Sequence, residues 1–264
     1  MTDYTIDRGL AVRDRMDLLA AVFAPSTHAL LDAIGVASGA RCVDVGCGGG
    51  HVALELGRRV GPAGRVVGID LDAALLEVAR TEAAARGVDN VSFRIATIED
   101  LGQSGFDLAC ARMLLMHLRD PTSVAGLMVA AVRSGGVVAV EDLNFSGSFT
   151  YPSCPAYDRR VGWYRETVRR CGGDADIGPC LPAMLSSVGL TDIRVRVVQP
   201  AFLDGPHKHL QEISMIKQKA AVVAAGVASA EEYDATHAEL AAFTANPATL
   251  VAAPRMIQAW GRRP

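Results

Sequence analysis

The stretch Val43–Gly50, VDVGCGGG, decides the fold of this chain, because a short β-branched run breaks there into a cluster of glycines. Glycine adopts the backbone conformations that sharp turns need, and its missing Cβ lets a ligand approach the backbone closely. A helical pattern of apolar residues begins at His51, directly after the glycines. A strand, a glycine loop and a helix in this order are typical of a site for a nucleotide-type cofactor.

Short apolar runs and helical patterns alternate on both sides of this stretch. The apolar runs predict strands at residues 42–45, 66–69, 91–95, 106–111, 137–140, 191–198 and 255–261. Helices are predicted at 51–60, 73–86 and 121–132, with Asp72 as the N-cap of the second. This alternation predicts an α/β fold with a mainly parallel, doubly wound sheet, whose strand carboxyl ends meet at the ligand-binding edge.

Three segments depart from this alternation. We expect them to form helical additions to the sheet, within a single domain that covers residues 1–264. Residues 8–35 predict helices that restart at Pro25-Ser26, and the segments 143–182 and 200–253 are expected to form a substrate cap. The first of these two later segments is rich in aromatic residues, which suit the wall of a pocket for an apolar or aromatic molecule. Ordinary packing between cap helices would explain the same aromatic residues.

Charge, cysteine content and hydropathy narrow the classes of partner. The net charge of −3, without a cluster of basic residues, argues against nucleic acid as the main partner. No apolar run approaches the ~20 residues of a membrane span, so no membrane partner is predicted. The six cysteines form no Cys-x-x-Cys pair, which predicts no metal site and a reducing, cytoplasmic location.

Three features of the glycine loop discriminate between cofactors. The glycines follow the spacing Gly46-x-Gly48-x-Gly50, Asp44 precedes them within the first strand, and Asp70 ends the second strand. A dinucleotide fingerprint requires glycine at the sixth loop position, where this chain has His51. A carboxylate at Asp70 can accept hydrogen bonds from both hydroxyls of a ribose. The loop therefore favours a nucleoside cofactor without phosphates over the alternative, a nicotinamide-dependent oxidoreductase.

The motif Asp44-x-Gly46-x-Gly48-x-Gly50, with Asp70 after it, resembles the class I S-adenosylmethionine-dependent methyltransferases. The resemblance to their ubiquinone/menaquinone-biosynthesis-like group continues in Phe106-Asp107-Leu108 with Arg112, Leu115 and His117, in Ser134–Val138 and in Met256–Gly261. It implies a Rossmann-like seven-stranded sheet of order 3-2-1-4-5-7-6, with the last strand antiparallel. It also implies S-adenosyl-L-methionine as cofactor, S-adenosyl-L-homocysteine as product, and a small metabolite, apolar or aromatic, methylated at O, N or C in bacterial specialised metabolism.

The same resemblance assigns roles to individual residues. Asp44 would order the loop and help to hold the amino group of the cofactor, and Asp70 would take the ribose hydroxyls. Leu71 would pack on the adenine, and Thr97 would face its edge, although the family often has aspartate at that position. The full predicted cofactor-binding set is Asp44, Gly46, Gly48, Gly50, Asp70, Leu71, Thr97, Ile98, Arg112 and Met113, the last two beside the sulfonium. A structural ion pair is the alternative role for Arg112.

Methyl transfer from a sulfonium is an in-line displacement with a good leaving group, so the protein mainly supplies positioning and electrostatics. A base is needed only where the attacking atom must lose a proton. Asp142, which closes the fifth strand on the ligand edge, and His117 are the candidate catalytic residues. Packing at a helix end is the alternative role for His117.

Other functions use the same cofactor loop. A cyclase or a binding protein of the methyltransferase fold would show the same glycines and acids. Cys154, Cys171 and Cys180 suggest an arsenite methyltransferase, but the cysteine-bearing segments expected of that family are absent from the sequence. The partner predicted here is a small-molecule substrate, neither nucleic acid nor a membrane is expected, and a homodimer is left open.

Overall fold

The computed structural model describes residues 8–264 of the chain, with side chains from Leu18 onward. The chain divides into two compact units. The sheet unit comprises Ser26–Asn144, Gly172–Val198 and Met256–Pro264, and the helical unit comprises Phe145–Cys171, Gln199–Arg255 and the segment that ends at Pro25. Residues 172–182, which the sequence placed in a cap, belong to the sheet unit.

Helices and strands alternate through the first half of the described chain. The strands are β1 (Arg41–Val45), β2 (Arg65–Asp70), β3 (Val91–Ile95), β4 (Phe106–Arg112), β5 (Val132–Asn144), β6 (Phe149–Tyr151), β7 (Thr191–Val198), β8 (Ala201–Phe202), β9 (Leu250–Ala252) and β10 (Arg255–Arg262). The helices are α1 (Arg8–Ile34), α2 (His51–Val60), α3 (Ala73–Ala85), α4 (Pro121–Ala131), α5 (Pro155–Arg170), α6 (Leu181–Ser187), α7 (Leu210–Ala224) and α8 (Ala230–Ala245). No helix among these is long and apolar enough to cross a bilayer.

The sheet unit is built on a seven-stranded sheet of order β3-β2-β1-β4-β5-β10-β7. When only these seven strands are numbered, in the order in which they occur in the chain, the sheet order is 3-2-1-4-5-7-6. The strand β10 runs antiparallel to β7. Strands β1 to β5 pair in parallel, so their carboxyl ends meet at one edge. The predicted fold is confirmed, and this edge carries Asp44, Asp70, Arg112 and Asp142 near the ends of their strands.

The core of the sheet unit forms where apolar strand residues meet the helices. Leu54 and Leu56 of α2 and Leu76 of α3 are at most 4% exposed, as is Cys42 of β1. Asp72 caps α3 as predicted, since its carboxylate accepts hydrogen bonds from the amides of Ala74 and Leu75. The burial of these side chains fixes the register of strands and helices, and thereby the position of the loops between them.

The segment before β1 differs from the prediction. The sequence predicted helices that restart at Pro25, but α1 runs without a break from Arg8 to Ile34 with Pro25 inside it. Proline lacks an amide hydrogen and clashes with the carbonyl four residues earlier, so it usually marks a boundary. Here the apolar residues Leu30 and Leu31, both at most 2% exposed, keep the following turns helical by packing into the core of the sheet unit.

The helical unit contains α5, α7 and α8 and a small antiparallel sheet of order β6-β9-β8. Within the segment 200–253, for which the sequence predicted a helical addition, the helices are α7 and α8. The serine Ser229 starts α8 with a capping box, in which its hydroxyl and the carboxylate of Glu232 exchange hydrogen bonds with each other's backbone amides. The small sheet was not predicted, because strands of two or three residues carry no recognisable period.

Candidate cofactor-binding site

The glycine loop between β1 and α2 adopts a backbone that other residues rarely adopt. Gly46, Gly48 and Gly50 have φ values of +68°, +50° and +81°, in the left-handed region. A Cβ on Gly46 would lie 2.8 Å from the Leu114 side chain, and one on Gly50 would lie 2.8 Å from the Cβ of Ala79. The backbone conformation therefore favours glycine at both positions, and at Gly50 the Cβ of Ala79 also leaves no space for a side chain.

Asp70 joins the end of β2 to this loop. Its Oδ2 accepts a hydrogen bond of 2.8 Å from the amide of Gly48, and its Oδ1 accepts one of 2.9 Å from the amide of Asp72. Each carboxylate oxygen has a second lone pair that could accept a hydrogen bond from a ribose hydroxyl. Because Asp72 is the residue that caps α3, capping does not explain the acid at position 70.

Asp44 is a buried carboxylate under the loop. It is 2% exposed, and its Oδ1 accepts a hydrogen bond from the Cys110 thiol at 3.6 Å. Its Oδ2 is buried and has no hydrogen-bond partner among the described residues. Burial raises the pKa of Asp44 to about 7, and the positive charge of Arg112 opposes this rise. A buried carboxylate oxygen without a donor fits a cationic ligand group, such as the amino group of S-adenosylmethionine.

The residues predicted to contact adenine lie at the ends of β2 and β3. Leu71 is 69% exposed, and Ile95, the register partner of Asp70, is 61% exposed. Two exposed apolar side chains beside Asp70 could pack on a flat base, and Ile95 was not singled out from the sequence. The Thr97 hydroxyl donates to Asp100 Oδ2 at 2.7 Å and accepts from the amide of Asp100. The Thr97 hydroxyl hydrogen is therefore already bound by the Asp100 carboxylate. Ile98, the next residue, is buried.

Arg112 ends β4 and belongs to a polar network at the carboxyl edge of the sheet. Its guanidinium donates to the Thr27 hydroxyl at 3.3 Å, and that hydroxyl donates to the Glu141 carboxylate at 3.0 Å. The Gln258 amide donates to the same carboxylate at 2.6 Å. Burial raises the pKa of Glu141, whereas the charge of Arg112 lowers it. Arg112 thus acts on two buried carboxylates, Asp44 and Glu141.

The partners of Arg112 in this network were not predicted from the sequence. Thr27, Glu141 and Gln258 lie on α1, β5 and β10, and Glu141 and Gln258 are separated by 117 residues in the chain. The available signal was a polar residue inside an otherwise apolar strand, since a buried polar side chain requires a partner. That rule marks Glu141 and Gln258, which are 4% and 0% exposed.

Met113 follows β4 with a strained backbone. Its φ is +54°, a conformation that costs a non-glycine residue about 1–2 kcal/mol. Its amide donates to the carbonyl of Glu141 at 2.7 Å, which helps to hold this turn. The turn places the side chain of Leu114 over Gly46. Such strain is common at functional sites, and here it lies beside the glycine loop.

The two candidate catalytic residues have different surroundings. Asp142 is 1% exposed, and its carboxylate accepts hydrogen bonds from the amides of Met116 at 3.1 Å and Leu143 at 3.0 Å. Burial raises the pKa of Asp142 to about 7, and these amides lower it. His117 is exposed at the end of the single-turn helix Leu115–His117. Asp142 therefore holds the segment after β4, whereas His117 is an exposed residue at the end of the single-turn helix.

Comparison with known proteins agrees with this geometry. Residues 37–165 match a family model described as a methyltransferase domain. The chain is 38% identical over 114 residues to a ubiquinone biosynthesis O-methyltransferase of Alkalilimnicola ehrlichii, which covers 42% of this chain and 44% of the relative. It is 34% identical over 120 residues to a nocamycin O-methyltransferase of Saccharothrix syringae, which covers 45% of this chain and 43% of the relative. The matched segment thus spans less than half the length of either relative.

The fold also matches a solved structure. The YcgJ protein of Bacillus subtilis superimposes with a TM-score of 0.60 at 18% identity, over 91% of this chain and 99% of that one. The sheet order, the glycine loop with its acids and the match over residues 37–165 agree with one another. Residues 37–165, just under half of the chain, are thus similar to a methyltransferase domain, and the glycine loop with Asp44 and Asp70 lies within them.

Proposed function

We propose that this protein is an enzyme that transfers the methyl group of S-adenosyl-L-methionine to a hydroxyl oxygen of a small organic molecule. The observation that carries the proposal is the hydrogen bond between the Asp70 carboxylate and the Gly48 amide. It places an acid that can bind ribose hydroxyls directly against a glycine loop suited to a cofactor without phosphates. Both named relatives are O-methyltransferases, which supports oxygen as the accepting atom rather than nitrogen or carbon.

The residues of the site have separate tasks in this proposal. When bound, the cofactor supplies an electrophilic methyl group on a positively charged sulfur. Asp70 binds the ribose hydroxyls, and the open Oδ2 of Asp44 binds the amino group. The network around Glu141 fixes Arg112 at the end of β4, and Leu114 covers Gly46. These contacts orient the methyl donor, which is the main catalytic contribution in a displacement of this kind.

Proton removal from the accepting hydroxyl would fall to a residue near the end of β4 or β5. Asp142 already accepts two backbone hydrogen bonds, and this supports a positioning role for it. His117 is exposed, and an imidazole nitrogen can act as a general base. We therefore place His117 before Asp142 as the base, and we place the reaction in the cytoplasm on a metabolite of bacterial specialised metabolism.

Incubation with methyl-labelled cofactor tests the proposal. The purified protein is supplied with S-adenosylmethionine and a set of phenols, enols, amines and activated carbon acids, and S-adenosylhomocysteine is measured with the methylated product. Oxygen methylation is expected, and Asp70→Ala is the inactive control. An isomerised acceptor without S-adenosylhomocysteine would indicate the cyclase alternative, and methylation of amines or carbon acids alone would correct the accepting atom.

A further inference from the structure

Asp44 and Cys110 face each other across two neighbouring strands of the sheet unit. They are register partners in the parallel pair of β1 and β4, and they are 2% and 6% exposed. The Cys110 thiol lies 3.6 Å from Oδ1 of Asp44 and 3.5 Å from the carbonyl oxygen of Val43. A thiol carries one hydrogen, so these two oxygens compete for it. An ionised carboxylate is the stronger acceptor, so the thiol donates to Asp44 when that residue is charged.

The two carboxylate oxygens of Asp44 have different surroundings. The thiol is a donor to Oδ1, whereas Oδ2 is buried and has no hydrogen-bond partner among the described residues. The terminal torsion of an aspartate side chain is soft, so the carboxylate does not orient itself. A donor on one oxygen therefore also fixes the direction of the other oxygen, which the proposed function assigns to the amino group of the cofactor.

Charged and titratable groups from the neighbouring elements also act on Asp44. Burial raises the pKa of Asp44 to about 7; Arg112 of β4 and the amide of Ala53 in α2 oppose this rise, and Glu141 of β5 adds to it. Burial also raises the pKa of the Cys47 thiol in the glycine loop, which keeps this neighbour neutral. Burial raises the pKa of Glu141 as well, so the variant Asp44→Asn is needed to show what Glu141 alone contributes to a pH profile.

We propose that Cys110 is a positioning residue of the cofactor site. Its thiol hydrogen bond holds the Asp44 carboxylate in one orientation and favours the ionised form, which pairs with the cationic amino group of the ligand. Burial raises the pKa of the Cys110 thiol, so it remains a hydrogen-bond donor while Asp44 ionises. The inference rests on the proposed function and deepens it by naming a residue that acts on the cofactor through Asp44.

The pH dependence of S-adenosylhomocysteine binding, measured by calorimetry, tests this role. Cys110→Ala removes the donor, so the midpoint of the profile should move up by about half a pH unit to one unit, the effect of one hydrogen bond. At pH 6 this variant should bind about three- to tenfold more weakly than the wild type, and at pH 8 by about twofold or less. Cys110→Ser keeps a donor, so its midpoint should return to that of the wild type or below.

Cys42→Ala is the matched control. Cys42 lies on β1 two residues before Asp44, is 0% exposed, and makes no side-chain hydrogen bond to the described residues. The alanine removes the same atom from the same core, so thermal unfolding should show a destabilisation similar to that of Cys110→Ala. The midpoint of the binding profile should stay at the wild-type value. An unchanged midpoint in Cys110→Ala, or an equal shift in Cys42→Ala, would overturn the proposal.

Infrared spectra of the S–H stretching bands give a second test, on the wild-type protein without a ligand. As Asp44 ionises around its pKa of about 7, the Cys110 hydrogen bond strengthens, and the S–H band of Cys110 should move to lower frequency. Cys110→Ala identifies this band, and Asp44→Asn should hold it fixed. Because the shift is measured on the wild type, a wild-type spectrum without it overturns the proposal even where Cys110→Ala does not fold.

The two measurements separate this inference from the proposed function. A protein that binds no S-adenosylhomocysteine at any pH would refute the proposed function, and the role of Cys110 with it. A protein that binds S-adenosylhomocysteine while its S–H bands stay fixed would refute the role of Cys110 alone.

Discussion

The Asp70 carboxylate accepts a hydrogen bond from the Gly48 amide at 2.8 Å, so the acid that ends β2 and the glycine loop form one unit. Asp70→Ala should weaken S-adenosylhomocysteine about a hundredfold or more, because two hydrogen bonds from ribose to a charged group are lost. Isothermal titration calorimetry measures the change. Asp72→Ala is the matched control: it removes the cap of α3 at a cost of about 1 kcal/mol in stability and leaves the Asp70 carboxylate in place. An unchanged affinity in Asp70→Ala would refute the assignment of this residue.

Gly48→Val should abolish cofactor binding, because the side chain fills the space in which the ligand meets the backbone. Gly48 has φ +50°, so the variant also loses about 1–2 kcal/mol of stability through backbone strain. Gly87→Val separates the two effects, since Gly87 has φ +63° and nothing within 4 Å of its added Cβ. Thermal unfolding and calorimetry should show similar destabilisation in both variants but lost binding only at Gly48. Equal cofactor affinity in the two variants would exclude a close approach at Gly48.

The affinity for S-adenosylhomocysteine should rise with pH as Asp44 ionises. Its pKa is raised from 3.8 to about 7, so the carboxyl is neutral below that pH and cannot pair with the cationic amino group of the ligand. Above that pH it is charged and the affinity reaches a plateau. Between pH 5.5 and 7 the gain should be at most about tenfold per pH unit. Titrations across this range measure it, and Asp44→Asn should give a flat profile. A wild-type profile as flat as that of the variant would show that Asp44 does not bind the amino group.

Asp142→Asn should slow turnover with little effect on cofactor affinity. The asparagine keeps one oxygen but turns an NH2 group towards the amide of Met116 or Leu143, which loosens the segment after β4. A loss of about 1–3 kcal/mol in unfolding free energy should accompany the slower rate. Steady-state kinetics and thermal unfolding measure the two effects, and a full rate in Asp142→Asn would remove Asp142 from the catalytic candidates.

His117→Ala should lower kcat about a hundredfold or more, because His117 is proposed as the base, and should cost less stability than Asp142→Asn, because His117 is exposed. The rate and the unfolding temperature are compared with those of Asp142→Asn. A wild-type rate in His117→Ala would show that the accepting hydroxyl loses its proton by another route.

The elements around the glycine loop could be predicted from sequence because local signals agree there. The bounds of α2, β3 and β7 match the predictions, and Asp72 caps α3, since apolar period, turn residues and cap chemistry all point to the same boundaries. The small sheet β6-β9-β8 could not be predicted, because its two pairs join segments about a hundred and about fifty residues apart. The strain at Met113 was likewise invisible, since no local rule places methionine at a positive φ.

The residues of the glycine loop could be predicted from the sequence, whereas the polar network around Arg112, which joins several elements, could not. Asp44, Gly48 and Asp70 are carried by one motif, and the structure brings them to one edge. The network of Thr27, Glu141 and Gln258 depends on which strands become neighbours, and sequence periodicity does not contain that information. The hydrogen bond between Arg160 and Gln218 depends in the same way on the pairing of α5 with α7.

Calorimetric titration of the wild-type protein with S-adenosylhomocysteine and, separately, with NAD tests the central claim most directly. The geometry of Asp44, Gly48 and Asp70 predicts saturable binding of S-adenosylhomocysteine to one site per chain and no binding of NAD. Binding of NAD without binding of S-adenosylhomocysteine would contradict the account and favour an oxidoreductase.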